Sequence, residues 1–302
     1  MQAQSPKRRR WLQFRLRTVL VAVFVVSLPL SWFAVRMQKV KRQQEAVAEI
    51  RRHGGFIHAR EDPTVPAWAQ SCLPEGFFVD VIWVNLEGPK VTDAALEGLS
   101  RLDRVEELCL VYAQVTDAGL EHLKGMGSID WLHLGGTQVT DAGLAQLAAI
   151  ADLRSLYLDG LDVTDEGVIH LKRMSSLRSL SLRSTEITDK GLGHLTSLGS
   201  ITALDLSYTQ VGDAGLEHLK EMGSIEMLDL SYTEVTCEGL GHLTGMGNLR
   251  KLHLDSTQLT DEGIEHIERI GSLEEVRPEG SHPTSELFKK LRERLPNCRL
   301  LH

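Results

Sequence analysis

The sequence TDAGL occupies residues 116–120 and returns, with small changes, at a constant interval of 24 residues. Eight copies follow one another without an insertion: TDAAL, TDAGL, TDAGL, TDEGV, TDKGL, GDAGL, TCEGL and TDEGI. They begin at Thr92, Thr116, Thr140, Thr164, Thr188, Gly212, Thr236 and Thr260. A repeat of this length in constant register predicts a solenoid, in which each unit packs against its neighbours.

Each unit carries two local patterns. A pair of apolar residues separated by one position, such as Leu108 and Leu110, precedes TDxGL and predicts a short strand. Apolar residues at intervals of three, such as Leu120, Leu123 and Met126, predict one apolar face of a short helix. Thr or Asp at the start of TDxG predicts the N-cap of that helix, because its oxygen can accept from otherwise unpaired amides.

The combined pattern LxxLxLxxTxVTDxGLxxLxxM resembles the leucine-rich repeat, and its ITDxGL-type subclass in particular, over residues 81–276. The resemblance implies an α/β solenoid of eight repeats. In such a horseshoe a parallel sheet lies on the concave side and short helices lie on the convex side. The chain is also similar, less specifically, to bacterial proteins in which a single-pass membrane helix carries such repeats.

An uncharged segment, residues 18–35, would span roughly 27 Å as a helix, which is enough to cross a bilayer. The predicted organisation is a basic tail (1–17), a transmembrane helix in the lipid bilayer (18–35), a helical stalk (36–55), an N-terminal capping segment (56–80), the repeats (81–276) and a C-terminal cap (277–302). A cleaved signal peptide is the alternative, although no small-x-small site follows the apolar run.

The charges are unevenly distributed along the chain. Residues 1–52 hold 12 Lys/Arg against 2 Asp/Glu, which leaves 21 against 39, a net charge of -18, for residues 53–302. Six cations precede the apolar segment and four follow it, which favours a cytoplasmic N-terminus and repeats outside the cytoplasm. The apolar segment predicts a single-pass membrane protein, and the resemblance to bacterial anchored repeat proteins implies the bacterial cytoplasmic membrane. The acidic repeats should repel phosphate polymers, so we expect no nucleic-acid partner.

Two residue columns within the repeats suggest structural roles. Glycine is the fourth residue of the five-residue motif in seven of the eight units. This residue type indicates a close approach of helix and sheet at that position. A column of threonines should be buried, and we hypothesise that their hydroxyls bond the backbone of the adjoining coil. The threonines are Thr137, Thr185, Thr209, Thr233 and Thr257.

Histidine and cysteine form no recognisable metal or disulfide pattern. The histidine column is His122, His170, His194, His218, His242 and His266. Neighbouring helices lie about 8–10 Å apart, too far for these side chains to converge on zinc, so we interpret them as partly exposed structural residues. The cysteines, Cys72, Cys109, Cys237 and Cys298, have no CxxC spacing, and we expect four free thiols.

The residues between and after the paired leucines should line the open face of the sheet. The candidate protein-binding residues are Trp131, Tyr157, Asp159, Arg183, Asp205, Tyr208, Asp229, Tyr232, His253 and Asp255. Aromatic rings beside carboxylates suit a protein segment that carries cationic groups. The alternative is a variable surface that is merely solvated.

We predict a membrane-anchored module for protein recognition or scaffolding, without enzymatic activity, metal or cofactor. No phosphate-binding glycine loop, GxSxG, HExxH or EF-hand motif occurs, and Asp229 with His253 is the one acid–base pair that could be named. One alternative is a structural protein that lines the membrane or envelope without a specific ligand. Another is a substrate-selecting adaptor, because ITDxGL-type repeats in eukaryotes often accompany an F-box; no F-box-like segment precedes Val81.

Overall fold

The computed structural model describes residues 16–61, 74, 77–150, 152–257, 259–278 and 285–301. Outside these ranges lie the basic tail up to residue 15 and residues 62–73, 75 and 76 of the predicted capping segment. Cys72 is one of these residues.

The described strands form one sheet in which sequence order and spatial order are the same. The strands are β1 (Phe56–Glu61), β2 (Val79–Asn85), β3 (Glu107–Cys109), β4 (Trp131–His133), β5 (Ser155–Tyr157), β6 (Ser179–Ser181), β7 (Ala203–Asp205), β8 (Met227–Asp229), β9 (Lys251–His253), β10 (Glu275–Arg277) and β11 (Arg299–Leu300). β1 pairs antiparallel with β2, and every later pair is parallel. The pairing joins residues 24 apart, as in Leu108 with Leu132, so the predicted solenoid with a parallel sheet is confirmed.

A long helix precedes the sheet, and a short helix follows each of the parallel strands from β2 to β9. The helices are α1 (Leu16–Arg52), α2 (Asp93–Glu97), α3 (Asp117–Leu120), α4 (Asp141–Leu147), α5 (Asp165–Val168), α6 (Asp189–Leu195), α7 (Asp213–Leu219), α8 (Cys237–Leu240), α9 (Asp261–Glu268) and α10 (Ser285–Arg294). Turns of 3₁₀ helix extend α2, α3, α5 and α8. The paired leucines and the helix leucines meet between the two layers in one continuous apolar core.

A ladder of Asp and Thr side chains connects each helix start to the next. Thr188, the N-cap of α6, donates from its amide to Asp165 Oδ1 (2.9 Å) and from its hydroxyl to Asp165 Oδ2 (2.7 Å). The same hydroxyl accepts from the amide of Lys190 at 3.3 Å, so the predicted N-cap is confirmed. At the last step Cys237 replaces Asp, and its sulfur lies 3.1 Å from both the amide and the hydroxyl of Thr260.

The glycine column exists because of this ladder. A Cβ on Gly215 would lie 2.5 Å from Asp189 Oδ1 and 3.0 Å from Leu192 Cδ1. The close approach is therefore to the preceding coil's helix start, and the expectation of a helix–sheet contact was wrong.

The threonine column also differs from our hypothesis. Thr209 Oγ1 donates to the carbonyl of Leu206 at 2.6 Å, and the other four threonines bond the residue three before them in the same way. The acceptor belongs to the same coil rather than the adjoining one, since the chain turns immediately after the strand. The hydroxyls thus stabilise the turn within each coil.

Both ends of the solenoid are covered. At the N-terminal end, Val40, Ala46 and Ile50 of α1 are buried against the first coil, so this half of the helix packs on the solenoid instead of standing free as the stalk that we expected. At the C-terminal end, Leu291 of α10 is buried, and Leu300 pairs with Val276 in the register that the 24-residue spacing predicts. Within the described part of the chain, Cys109, Cys237 and Cys298 form no disulfide bond.

The N-terminal half of α1 has a different environment. Its described apolar side chains, from Val21 to Val35, are exposed. By length and composition alone, the stretch Val23–Arg52 could cross a membrane, a property that signal sequences share.

Candidate functional site

The ten candidate residues lie on or beside the open sheet face, the side of the sheet opposite the helices. Strand register places Asp205, Asp229 and His253 in one column. The residues separate into two groups along the solenoid. Trp131, Tyr157 and Asp159 lie on the β4–β5 side, and the remaining seven lie on the β6–β9 side.

Two tyrosines and an arginine form a stack at the edge of this face. The rings of Tyr208 and Tyr232 are 4.3 Å apart and nearly parallel, at 12°. The Arg183 guanidinium lies 4.4 Å from the Tyr208 ring centroid and forms a cation–π interaction with that ring. It also donates a hydrogen bond to Ser207 Oγ at 3.0 Å. We call Arg183, Tyr208 and Tyr232 the tyrosine stack.

Both tyrosines have a left-handed backbone, with φ of 59° and 57°. This conformation costs an L-residue roughly 1–2 kcal/mol. Ser184 and Ser256 occupy the same position in neighbouring coils, and Gly136 and Gly160 do so in earlier coils. Each tyrosine side chain is more than two-fifths exposed although its backbone is strained. A strained backbone of this kind is typical of functional positions.

Beside the stack, acidic and basic groups are paired within the chain. His253 Nδ1 lies 3.1 Å from Asp229 Oδ2, and His253 Nε2 lies 3.6 Å from Glu275 Oε1. The Arg277 Nε lies 3.0 Å from Asp255 Oδ2. Both ring nitrogens of His253 therefore face carboxylates of the protein itself, and the side chain is largely buried.

These contacts shift the pKa values of the His253–Asp229 pair in opposite directions. The hydrogen bond to Asp229 raises the pKa of His253 against the effect of burial. Burial is the largest influence on the Asp229 carboxyl and raises its pKa, but the bonds from His253 and Ser231 outweigh it, so this pKa falls below its ordinary value. The pair is thus stabilised as an ion pair near neutral pH.

Asp205 has a different environment from Asp229. It accepts from the amide and the hydroxyl of Ser207 at 2.8 and 2.6 Å, and no cation of the described residues lies within ion-pair distance of it. Burial, assisted by the charges of Asp229 and Asp159, raises the pKa of Asp205 despite the Ser207 bonds. A cation brought to this position would relieve an uncompensated carboxylate.

A depression of about 420 Å³ opens between the tyrosine stack and the paired charges. It is lined by Arg183, Tyr208, Asp229, Ser231, Tyr232, Asp255 and Arg277. A second depression, of about 340 Å³, adjoins it over β6 and β7 and includes Tyr157, Asp159 and Asp205 in its lining. The second depression is also lined by Leu180, Leu204 and Met227, so the two together form a trough of mixed polar and apolar lining with aromatic walls. Its size accepts individual side chains of a peptide.

The second group of candidates forms a separate aromatic cluster. The Trp131 and Tyr157 ring centroids are 5.5 Å apart, and His133 stacks on Tyr157 at 5.1 Å. Asp159 contacts His133 Nε2 at 3.5 Å and accepts a hydrogen bond from Ser181. Burial lowers the pKa of His133 although the Asp159 charge opposes this.

The histidine column follows the short helices, away from the open sheet face. Across the residues with described positions, no three His, Cys, Asp or Glu side chains group together as metal ligands would.

Comparisons with known proteins agree with this architecture. The family model described as the leucine-rich repeat matches residues 173–198, 200–220 and 248–267. Among solved structures, the chain is similar to internalin C2 from Listeria monocytogenes, with 21% sequence identity and a TM-score of 0.51. The likeness covers 68% of this chain and 87% of that one. No curated protein matches the sequence.

The chain has the leucine-rich-repeat fold. Sequence reasoning missed three residues that complete the candidate site: His133, Glu275 and Arg277. His133 was overlooked although it occupies the same column as Tyr157. Glu275 and Arg277 were not among the candidates, yet they lie 24 positions after Lys251 and His253, and that spacing was the available signal.

Proposed function

We propose that this protein is a single-pass membrane protein that displays its solenoid as a non-catalytic module for recognising protein segments with cationic groups. The exposed apolar side chains from Val21 to Val35 support the anchor, since such a surface is stable in lipid and unfavourable in water. The anchor corresponds to residues 18–35 and would lie in a bacterial cytoplasmic membrane. The charge asymmetry around it supports a solenoid outside the cytoplasm.

The observation that carries the recognition role is the tyrosine stack beside this trough. Tyr208 and Tyr232 have a strained backbone, remain partly exposed and line the depression. The chain itself already stacks one guanidinium on Tyr208, so the far face of Tyr232 offers a comparable place to a partner's Arg or Lys. Asp205 supplies the carboxylate that lacks an internal cation.

A non-catalytic role is supported by the geometry of the one acid–base pair. A general base needs a ring nitrogen directed at a substrate proton. Both nitrogens of His253 instead face Asp229 and Glu275. The net charge of -18 on residues 53–302 supports a protein partner in preference to a nucleic acid.

A displayed random-peptide library, panned on the full chain in lipid nanodiscs, would test the recognition role. The comparison variant is Tyr208→Ser/Tyr232→Ser, because Ser184 and Ser256 already show that serine accepts this backbone conformation. The matched control is Tyr112→Ser, which changes an exposed tyrosine with the same left-handed backbone on β3's coil.

We expect the wild type and the Tyr112→Ser variant to enrich Arg- or Lys-containing peptides that the double variant does not retain. Their binding should weaken with added salt and on Asp205→Asn substitution. Enrichment equal on all three proteins, or none on any, would contradict recognition at this face and favour a solvated surface on a structural protein.

A further inference from the structure

The contacts between α1 and the solenoid begin within the segment proposed to span the membrane. The ring of Phe77 lies 5.8 Å from that of Trp32 and 5.4 Å from that of Phe33. Its carbonyl accepts from Arg36 Nε at 2.7 Å. A ring that packs on Trp32 and Phe33 lies at their level along the helix, so Phe77 is level with the last turn of residues 18–35.

No free length of helix separates these contacts from the rest of the solenoid. Lys39 Nζ lies 3.2 Å from Asp80 and 3.0 Å from Asp103, and Gln43 donates to the carbonyl of Val79 at 3.1 Å. The packing continues to Ile50, so α1 and the solenoid are in contact from Trp32 onward over about 28 Å of helix. The helix therefore holds the first coil directly at the surface of any bilayer that contains residues 18–35.

The side chains at this junction have the composition of a membrane interface. Trp32 is 58% exposed, and the Phe78 ring packs edge-on against Phe77 at 4.9 Å. Aromatic rings of this kind prefer the headgroup level of a bilayer. Phe78 lies on the solenoid, so the aromatic surface continues from the helix onto the first coil.

Cations lie beside this aromatic surface, and the Arg36 guanidinium is 5.9 Å from the centroid of the Phe77 ring. Arg36, Lys39 and Arg104 converge on Asp80, at 4.0, 3.2 and 3.3 Å. Burial alone would raise the pKa of Asp80, but these cations together hold it below its ordinary value. A groove of about 530 Å³ opens beside Val35, and its lining includes the cations Lys39, Arg42 and Arg101 and the carboxylates Glu45 and Asp103. Arg42 has no ion-pair partner among the described residues.

We propose that the first coil of the solenoid rests on the bilayer, with Phe78 entering the interfacial layer beside Trp32 and Phe33, while the buried Phe77 joins these rings. The groove that contains Arg42 then faces the phosphates of the lipid headgroups. This inference rests on the membrane anchor proposed above. The solenoid would then be held on the membrane surface at two places, by the anchor in α1 and by the first coil.

Photocrosslinking of the full chain in nanodiscs tests this contact. Phe78, which is partly exposed, is replaced by p-benzoylphenylalanine, and lipid adducts are measured by mass spectrometry after irradiation. Phe24, which is 64% exposed and lies within the proposed span, takes the same replacement to report on the anchor. Tyr112, which is 67% exposed on the solenoid, is the control away from the membrane.

Lipid adducts at positions 24 and 78, each in several-fold higher yield than at 112, are the expected result. Adducts at 24 with no more at 78 than at 112 would overturn the resting contact and leave the anchor standing. Absence of adducts at 24 would overturn the anchor itself, and this inference with it. An adduct of position 78 with a second protein chain in place of lipid would also overturn the proposal.

Discussion

The Asp–Thr ladder has one incomplete step, and completing it should stabilise the protein. Gly212 begins α7 where five of the other units place a Thr that bonds the preceding coil's Asp. Its backbone, at φ -120° and ψ -163°, is close to that of Thr188 at -116° and -175°. A Cβ at Gly212 would meet no atom closer than 3.7 Å, and that atom is Asp189 Oδ2.

The expected gain for Gly212→Thr can be worked out from these contacts. The new hydroxyl would donate to Asp189 Oδ2, which accepts no hydrogen bond in the described structure, and such a bond contributes about 1 kcal/mol. Replacing glycine in an extended conformation also lowers the entropy of the unfolded chain, worth about 0.4–1 kcal/mol. The free energy of unfolding should therefore rise by about 1–2 kcal/mol.

Urea unfolding of the full chain in one detergent, followed by circular dichroism, measures this change. Gly212→Val is the matched control, because it has the same shape without the hydroxyl and should gain only the entropic part. Repeating both substitutions on Asp189→Ala completes a double-mutant cycle and should remove the advantage of Thr. If Thr and Val are equally stabilising, or if Thr destabilises, the ladder is not the source of stability that we describe.

Three further predictions concern stability. Gly191→Ala should destabilise by about 1–3 kcal/mol despite alanine's higher helix propensity, because its Cβ meets the preceding coil's carboxylate; Gly199→Ala, in open space, should be neutral in the same urea titration. Thr209→Val should cost about 1 kcal/mol through loss of the turn hydrogen bond, and a midpoint equal to that of wild type would refute this role. The His253 pKa is raised, so its stabilisation is complete below the ordinary value of 6.5 and is lost as pH rises through the folded-state pKa. His253→Gln should remove that loss when unfolding midpoints are compared from about pH 5 to about pH 8; an unchanged pH dependence would show that another group titrates.

The repeat could be predicted in detail because its signal is local and recurs eight times. The spacing of 24 determined the strand register, so the column of Asp205, Asp229 and His253 could be predicted without coordinates. What the spacing could not give is which polar atoms meet across coils. Thr209 was expected to bond its neighbour and bonds its own turn, since rotamers and turn geometry decide this and leave no periodic trace.

The position of α1 could not be predicted for a related reason. Its partners Phe77, Val79 and Asp80 lie about 40 residues away, outside the repeat, and occur once each. Residues 36–52 have the composition of a free helix, and only the burial of positions such as Ile50 distinguishes a docked helix from a stalk. In the site, the charge pairs also depended on contacts that a sequence alone does not show, such as Arg277 with Asp255.

The constant offset between coils makes the length of this protein an adjustable quantity. Strand pairing, the ladder and the core all join residues one repeat apart, so inserting or removing a block of 24 residues between β3 and β6 would recreate the same contacts at the new junction. Each block moves everything beyond it by about 4.8 Å along the sheet. Tyr232 follows β8, six strand positions after β2, and thus lies roughly 29 Å from that first parallel strand. Gene duplication of whole repeats could therefore change the distance between β2 and the tyrosine stack in steps of one strand spacing. The chemistry of the tyrosine stack would stay the same.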